Sequence, residues 1–260
     1  MITNPLHYIY PIHRPESDGD KPYVSGSGIL FEIGGYKLLI SAAHVFDQED
    51  ETIYFSKDTI LVQATAVVHS TPKPDNDRTK DKIDIAIMRL PDEVVANLDP
   101  SLKFLSPSDL DVADLNGPNK KYAFTGYPGT KAKTNFALKK IKAVSFEYSL
   151  TPVPTGKFEA AGWNVGLHVI GEFDRENMAY ADGKRITAPQ PNGISGGPVW
   201  VKHPPYSEYK LVGLGIDWDE KNSMMVGVRI GAALSMIQHA FPNIAHLLTG
   251  SPHIIITIPK

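Results

Sequence analysis

Three short segments of this 260-residue sequence each hold one residue type that takes part in acid–base or nucleophilic chemistry. His44 follows the segment Leu-Leu-Ile-Ser-Ala-Ala, Asp84 precedes Ile-Ala-Ile-Met-Arg-Leu, and Ser195 lies within Asn-Gly-Ile-Ser-Gly-Gly-Pro-Val. A serine hydroxyl becomes a good nucleophile only beside a base, and histidine titrates close enough to neutral pH to be that base. A carboxylate can orient the imidazole and stabilise the positive charge that it gains. We therefore interpret Ser195 as a nucleophile, His44 as its base and Asp84 as the orienting acid.

The glycines around Ser195 indicate where a developing oxyanion would be stabilised. Main-chain N–H groups of Gly193 and Ser195 can converge on one point, because glycine adopts backbone angles that other residues avoid. Each motif alone also has an ordinary structural explanation: a packed histidine, an exposed acid or a simple turn. Their joint occurrence in the order His, Asp, Ser, separated by 40 and 111 residues, favours the catalytic interpretation.

Short apolar segments separated by turn residues predict an all-β fold. Glycine and proline number 21 each, and long helical periodicity is nearly absent. The pair Gly34-Gly35 between segments 28–33 and 36–40 predicts a hairpin with a primed turn. A helix is expected over 232–240. Further strands are predicted at 53–56, 60–69, 83–90, 121–126, 137–150, 165–173, 197–202, 210–217 and 224–230.

The spacing of polar segments divides the chain in two. Residues 71–82 are polar and proline-containing, which predicts an exposed loop. Residues 105–120 have the composition of a linker. We therefore expect an N-terminal lobe over 1–115 that carries His44 and Asp84, and a C-terminal lobe over 116–260 that carries Ser195.

The segments 41–44, 84–87 and 193–198 resemble the three catalytic blocks of the trypsin/chymotrypsin-like serine peptidases. They are most similar to the cysteine-free bacterial branch, and the resemblance spans about 22–241. It implies two six-stranded Greek-key β-barrels followed by a C-terminal helix, with the catalytic residues in the cleft between the barrels. It also implies serine endopeptidase activity, with a protein or peptide as substrate.

The resemblance places an extended substrate along the strand that follows the serine block. The residues expected to contact substrate are Ile216, Asp217, Trp218, Pro189, Gln190 and Gly227. No charge is evident among residues 188–190, which favours an uncharged side chain before the scissile bond. Alternatively, Asp217 or Asp219 reaches a basic side chain. His168 either lines the cleft or is an ordinary strand residue.

Two positions depart from the family pattern. Secreted members often carry an aspartate before the nucleophile, which pairs with the N-terminus released by zymogen cleavage. Ile194 occupies this position, so we expect activity without removal of a propeptide. Ile216 stands where the family often has a serine that supports the catalytic aspartate, so the surroundings of Asp84 should differ from the family pattern.

Two other classes of function share features with this sequence. The G-x-S-x-G pattern around Ser195 also occurs in α/β-hydrolases, but those enzymes need a strand before the serine and a helix after it. Neither the proline-containing segment 188–192 nor the apolar segment 198–201 fits that context. A catalytically silent binding or regulatory module, or an enzyme that is latent until a regulatory partner binds, remains the alternative.

Composition and charge argue against several other classes of function. The net charge is −3, without the basic stripe typical of nucleic-acid binders. No apolar segment approaches the length of a membrane span, and no metal-binding motif is evident, so we expect no membrane association, no metal and no cofactor. The absence of cysteine and of a recognisable signal peptide favours a cytoplasmic location.

Overall fold

Strands form most of the regular structure in the computed structural model of the protein, which describes residues 2–15, 22–47, 53–57, 60–64, 66–113, 120–135, 140–179, 185–202 and 208–248. Their apolar residues are largely β-branched or aromatic, types that pack well on a pleated surface. In chain order the strands are β1 (Ile9–Pro15), β2 (Pro22–Ile33), β3 (Tyr36–Ala42), β4 (Ile53–Lys57), β5 (Ile60–Ala64), β6 (Val68–Ser70), β7 (Ile85–Arg89), β8 (Lys121–Gly126), β9 (Lys133–Asn135), β10 (Lys140–Lys142), β11 (Phe146–Pro152), β12 (His168–Glu172), β13 (Met178–Ala179), β14 (Arg185–Ile186), β15 (Pro198–Lys202), β16 (Tyr209–Asp219) and β17 (Met224–Arg229). The α-helices are α1 (Asp92–Ala96), α2 (Thr155–Ala160) and α3 (Ile230–Ala240).

The C-terminal half contains a closed barrel. Within the described residues its strand order is β11-β12-β17-β16-β15-β8, and all of its pairings are antiparallel. Aromatic and aliphatic side chains such as Phe124, Tyr148 and Val199 fill one of its packed layers. Closure removes the exposed edges that an open sheet would present. The barrel therefore gives the loop around Ser195 a rigid base.

The N-terminal half is built on a larger sheet than expected. Its described strands follow the order β6-β7-β3-β2-β1-β4-β5-β10-β9, which makes nine rather than six. The additional strands β9 and β10 come from residues 133–142, and β10 joins β5 through the pair Lys140 and Ile60. The sheet therefore continues past the division at residue 115 into the second half of the chain.

The hairpin between β2 and β3 confirms the predicted primed turn. Ile33 pairs with Tyr36, and the two intervening glycines have φ values of 56° and 79°. Positive φ at both central positions defines a type I′ turn, whose twist matches that of the flanking strands. The turn fixes the register of β3, the strand that leads to His44.

The predicted C-terminal helix is also confirmed, as α3. It begins at Ile230, two residues before the predicted start, and its buried residues pack with β16 and β17 and with Ile29 and Phe31 of the first sheet. One apolar cluster thus spans both halves of the chain. Overall the fold is mostly β, with a closed six-stranded barrel, a second sheet and a C-terminal helix.

Candidate active site

Strand pairing brings His44 and Asp84 together. β3 and β7 are antiparallel neighbours, and their last pair joins Ala42 to Ile85. His44 lies two residues after Ala42 in a short 3₁₀ turn (Ala43–Val45), and Asp84 directly precedes Ile85. The register therefore places the ends of two strands that are distant in sequence side by side at one edge of the sheet.

Three hydrogen bonds hold the His44 turn against Asp84. His44 Nδ1–H donates to Asp84 Oδ2 at 2.5 Å, and the His44 main-chain N–H donates to Oδ1 at 2.9 Å. The Ala43 N–H donates to the Asp84 carbonyl at 3.0 Å. The Asp84 side chain is 6% exposed, whereas that of His44 is 37% exposed. Because Nδ1 donates to the carboxylate, Nε2 is the imidazole atom left to accept a proton.

Ser195 lies in a tight turn that precedes β15. The Ile194 N–H donates to the Pro191 carbonyl at 3.0 Å, and Gly193 has a φ of 94°, which together define a type II turn. A Cβ atom at Gly193 would lie 2.8 Å from the Tyr127 carbonyl oxygen, so both backbone angle and space require glycine here. The turn presents Ser195 at the mouth of the barrel.

Two main-chain N–H groups in this turn are available as donors. The Asn192 carbonyl accepts a hydrogen bond from the Gly129 N–H at 2.8 Å. Because a trans peptide directs its N–H away from its C=O, the Gly193 N–H points away from Gly129. Within the described residues, neither the Gly193 nor the Ser195 N–H donates to a protein acceptor. Buried or half-buried N–H groups are normally paired, so two free donors in one turn are suited to binding a ligand oxygen.

Ser27 of β2 fastens the Ser195 turn to the first sheet. Its N–H donates to the Ser195 carbonyl at 2.8 Å, and its Oγ–H donates to the Gly193 carbonyl at 2.8 Å. The same Oγ accepts from the Tyr127 N–H at 2.8 Å, and Ser27 is fully buried. The position of the turn thus depends on contacts from both halves of the chain.

His44, Asp84 and Ser195 line a single cleft of about 500 Å³. In the described part of the chain no hydrogen bond joins Ser195 Oγ to the imidazole, and such bonds commonly tighten only when substrate binds. The full lining is His44, Arg78, Thr79, Asp81, Lys82, Asp84, Trp163, Pro191, Asn192, Ser195, Ile216, Asp217 and Trp218.

The residues predicted to contact substrate divide into two groups. Ile216, Asp217 and Trp218 line the cleft beside His44 and Ser195. Pro189, Gln190 and Gly227 are not part of that lining. A Cβ atom at Gly227 would meet the side chain of Val199 inside the barrel, so this glycine permits close packing of strands. The specificity pocket that these three residues were expected to form stays a prediction.

His168 is a buried strand residue outside the cleft lining. Its Nε2–H donates to the Lys82 carbonyl at 2.7 Å, and its ring packs edge-on against Trp163 at 5.0 Å. Desolvation lowers the pKa of His168, although hydrogen bonds with Lys82 and Asn164 oppose the shift. The neutral ring links β12 of the barrel to the loop that precedes Asp84.

The loop 71–82 contributes residues that sequence reasoning missed. It was predicted to be exposed, but that is wrong for Thr71, Arg78 and Asp81, whose side chains are buried or nearly so. Arg78 donates to Asp47 Oδ2 at 2.6 Å and to Asp81 Oδ2 at 2.7 Å, and its Nε lies 4.0 Å from Asp84 Oδ1. The sequence does not predict this network, because Asp47 is 31 residues from Arg78 and Asp81 lies among charged residues that are exposed.

Trp163 is a second lining residue that the sequence did not reveal. It follows α2 and Gly162, whose φ is 80°, and it is 7% exposed. The Lys82 ammonium lies over its ring, 4.1 Å from the ring centroid. Trp163 therefore forms an aromatic wall of the cleft in which a cation is already accommodated.

Comparison with known proteins identifies the fold. Among solved structures, the chain is similar to neuropsin, a serine protease expressed in the limbic system of mouse brain, with a TM-score of 0.56 and 15% identity over 92% of this chain and 96% of neuropsin. The chain has the trypsin-like serine protease fold. A structure described for the coupled folding and binding of the Sesbania mosaic virus VPg protein is also similar, with a TM-score of 0.47 and 18% identity over 86% of each chain. No family model and no curated protein matches the sequence.

Two other properties bear on the site of this trypsin-like fold. Among the described residues, no group of three histidine, aspartate or glutamate side chains is placed to bind a metal ion. The helices that the structure describes are too short or too polar to cross a membrane.

Proposed function

We propose that this protein is a serine endopeptidase in which Ser195 is the nucleophile, His44 the general base and Asp84 the residue that orients and stabilises the imidazole. The observation that carries the proposal is the convergence of these three side chains in one cleft. His44 and Asp84 come from the first sheet and are joined by the 2.5 Å hydrogen bond, and Ser195 comes from the barrel. The similarity to a solved serine protease supports the same class.

In the proposed reaction the same residues act in both acylation and deacylation. Ser195 Oγ attacks the substrate carbonyl carbon while its proton passes to His44 Nε2. The negative charge that develops on the carbonyl oxygen is stabilised by the Gly193 and Ser195 N–H groups. His44 then protonates the leaving amine, and an acyl-enzyme remains. Water, deprotonated by the same imidazole, then attacks the ester carbonyl. His44 returns the proton to Ser195 Oγ as the ester C–O bond breaks, which releases the acid product and restores Ser195.

We further propose that no zymogen cleavage is needed. Ile194 is 7% exposed and packs in the apolar interior of the barrel. An isoleucine has no charge with which to hold a newly released amino terminus. Apolar burial of Ile194, together with the hydrogen bonds from Ser27, supports a Ser195 turn that is formed without proteolysis.

The substrate is proposed to be an extended peptide that lies along Ile216, Asp217 and Trp218, where β16 continues beyond Leu214, its last residue paired with β15. An origin in the cysteine-free bacterial branch, a cytoplasmic location and a regulatory protein partner stay predictions from the sequence. A silent binding module or a latent enzyme is the competing function, and it predicts a Ser195 that does not react.

A fluorophosphonate probe tests the proposal without knowledge of a substrate. We expect the purified chain with Met1 intact to gain the mass of one probe molecule less HF. Ser195 Oγ, activated by the base and the free N–H donors, displaces fluoride from the phosphorus of the probe. The Ser195→Ala variant should gain no mass, and Asp84→Asn should react at least about a hundredfold more slowly, because the imidazole would lose its orienting carboxylate. Intact-mass spectrometry over time gives the rates.

A folded wild type that does not react would contradict constitutive activity. Reaction that persists in Ser195→Ala would show that another residue is labelled, and this would contradict the assignment of the nucleophile.

A further inference from the structure

Two aspartates near the end of β16 are possible partners for a basic substrate side chain, and their surroundings differ. Asp219 uses both of its oxygens within a turn. Its Oδ1 accepts from the Asn222 N–H at 3.0 Å, and its Oδ2 accepts from the Asn222 amide at 2.8 Å. Asp219 is also absent from the cleft lining. Its carboxylate is therefore committed to shaping the loop between β16 and β17.

Asp217 is placed to meet a ligand. It lines the same cleft as His44 and Ser195 and is accessible to solvent. Its Oδ1 accepts from the Trp218 N–H at 2.8 Å, whereas Oδ2 has no hydrogen-bond donor or salt-bridge cation among the described residues. Partial burial against the cleft walls raises the pKa of the Asp217 carboxyl, although the Trp218 N–H and the charge of Lys82 oppose the shift. A carboxylate in this state gains more from a cation than a fully hydrated one does.

Unlike the other two carboxylates that line the cleft, Asp217 has no cationic partner within hydrogen-bond distance among the described residues. Asp84 is bonded to His44, and Asp81 is bonded to Arg78. Lys82 acts on Asp217 through its charge, but its ammonium lies over the Trp163 ring. Lys82 therefore competes with a substrate cation for this part of the cleft, and its removal should strengthen the binding of a lysine or arginine side chain there.

Aromatic side chains complete a site for a long basic side chain. Trp163 and Trp218 line the same cleft as Asp217. The position of the Lys82 ammonium, 4.1 Å from the Trp163 ring centroid, demonstrates that this wall accepts a cation. The apolar stem of a lysine or arginine can pack on such rings while its charged end reaches a carboxylate.

We propose that Asp217 is a specificity-determining residue that selects substrates with a lysine or arginine side chain close to the scissile bond. The inference rests on the proposed endopeptidase function and names the substrate class of that site. It assigns the basic preference to the cleft beside His44 and leaves residues 188–190 to contact a different side chain.

The test compares cleavage of a positional peptide library by the wild type and four variants. We expect the wild type to favour lysine over norleucine and arginine over citrulline at one position by about tenfold in kcat/KM, the size of one charge-assisted contact. Asp217→Asn should lose this preference and Asp217→Lys should favour glutamate there. Asp219→Asn is the matched control and should keep the wild-type preference, whereas Lys82→Met should increase it.

Failure of the inference and failure of the proposed function give different results. If Ser195 reacts with the fluorophosphonate and peptides are cleaved, an unchanged preference in Asp217→Asn overturns the role of Asp217 alone. If no peptide is cleaved, binding to Ser195→Ala is measured by fluorescence anisotropy with the lysine and norleucine peptides. If Ser195→Ala binds the lysine peptide more tightly than the norleucine peptide, and the double variant that also carries Asp217→Asn does not, the site is supported. Equal binding of the two peptides by Ser195→Ala overturns it.

Discussion

Asp84 adopts a left-handed backbone conformation, with a φ of 47°, immediately before β7. Aspartate tolerates this region better than most residues, because its short side chain can bond to nearby backbone groups. The geometry lets one residue bind the His44 turn through its carbonyl and through both carboxylate oxygens. A single acid thus fixes both the position and the tautomer of the imidazole.

Arg78 supplies a second positive charge close to this acid, with its Nε 4.0 Å from Asp84 Oδ1. Burial disfavours its charge, but hydrogen bonds and charges from Asp47 and Asp81 outweigh that cost and raise its pKa. Ile216, at the position where a serine was expected to support Asp84, has no hydrogen-bonding side chain. We infer that Arg78 is a positioning residue, which acts on the reaction through Asp84.

Replacing Arg78 with glutamine should slow the reaction of Ser195 with the fluorophosphonate by about tenfold, equivalent to about 1.4 kcal/mol. Arg78→Lys should restore most of the rate, because it retains a positive charge near Asp84. Lys73→Gln is the control, since Lys73 also pairs with Asp47 but is more exposed. An Arg78→Lys variant that reacts as slowly as Arg78→Gln would indicate a purely structural role.

At the scale of elements, the sequence identifies the strands around the site better than the loops. Strand β8 has the predicted bounds, and β7 and β15 differ from prediction by one or two residues, because alternating or continuous apolar patterns define buried strands. Within the described residues, the predicted strands 60–69 and 137–150 are each interrupted, by residues 66–67 and 143–145. β-Propensity does not reveal such interruptions, because they depend on the path of neighbouring strands.

The Ser27 contacts illustrate what local pattern cannot show. Ser27 is one small residue in a glycine-rich strand, and its hydroxyl partners lie 100 and 166 residues away. No periodicity in the sequence reports such distant pairing. Residue types and order were enough to predict that His44, Asp84 and Ser195 come together in one cleft. The groups that hold the Ser195 turn depend instead on how the two halves pack.

Removing the Ser27 hydroxyl should disturb the oxyanion site without unfolding the protein. In Ser27→Ala the Gly193 carbonyl and the Tyr127 N–H lose their partner, at a cost of about 1–3 kcal/mol. We expect the rate of fluorophosphonate labelling to fall by about tenfold or more. Ser25→Ala is a matched control on the same strand, because the Ser25 hydroxyl donates to the Ile12 carbonyl within the first sheet. Equal labelling rates in the two variants would contradict the role of Ser27, and circular dichroism checks the fold.

Two buried histidines, His168 and His13, favour the neutral ring within the folded protein. His168 of the barrel donates to the Lys82 carbonyl, so it connects the barrel to the loop that precedes Asp84. His13 of β1 is 1% exposed, and within the described residues neither of its ring nitrogens has a hydrogen-bond partner. Both positions favour the uncharged ring, because nothing compensates fully for the loss of water.

His13 should make the fold sensitive to acid. Burial lowers its pKa from 6.5 to about 4, so between these values the unfolded chain binds a proton that the folded chain does not. Stability therefore falls as the pH decreases through this window, by about 2 kcal/mol between pH 7 and pH 5. In His13→Leu, urea unfolding at the two pH values should show a loss of unfolding free energy that is smaller by about this amount. The remaining pH dependence should arise partly from His168, whose pKa is also lowered. An unchanged pH dependence in His13→Leu would mean that the His13 ring is protonated or solvated in the folded protein, whereas a flattened one would identify this single buried ring as the main source of acid instability.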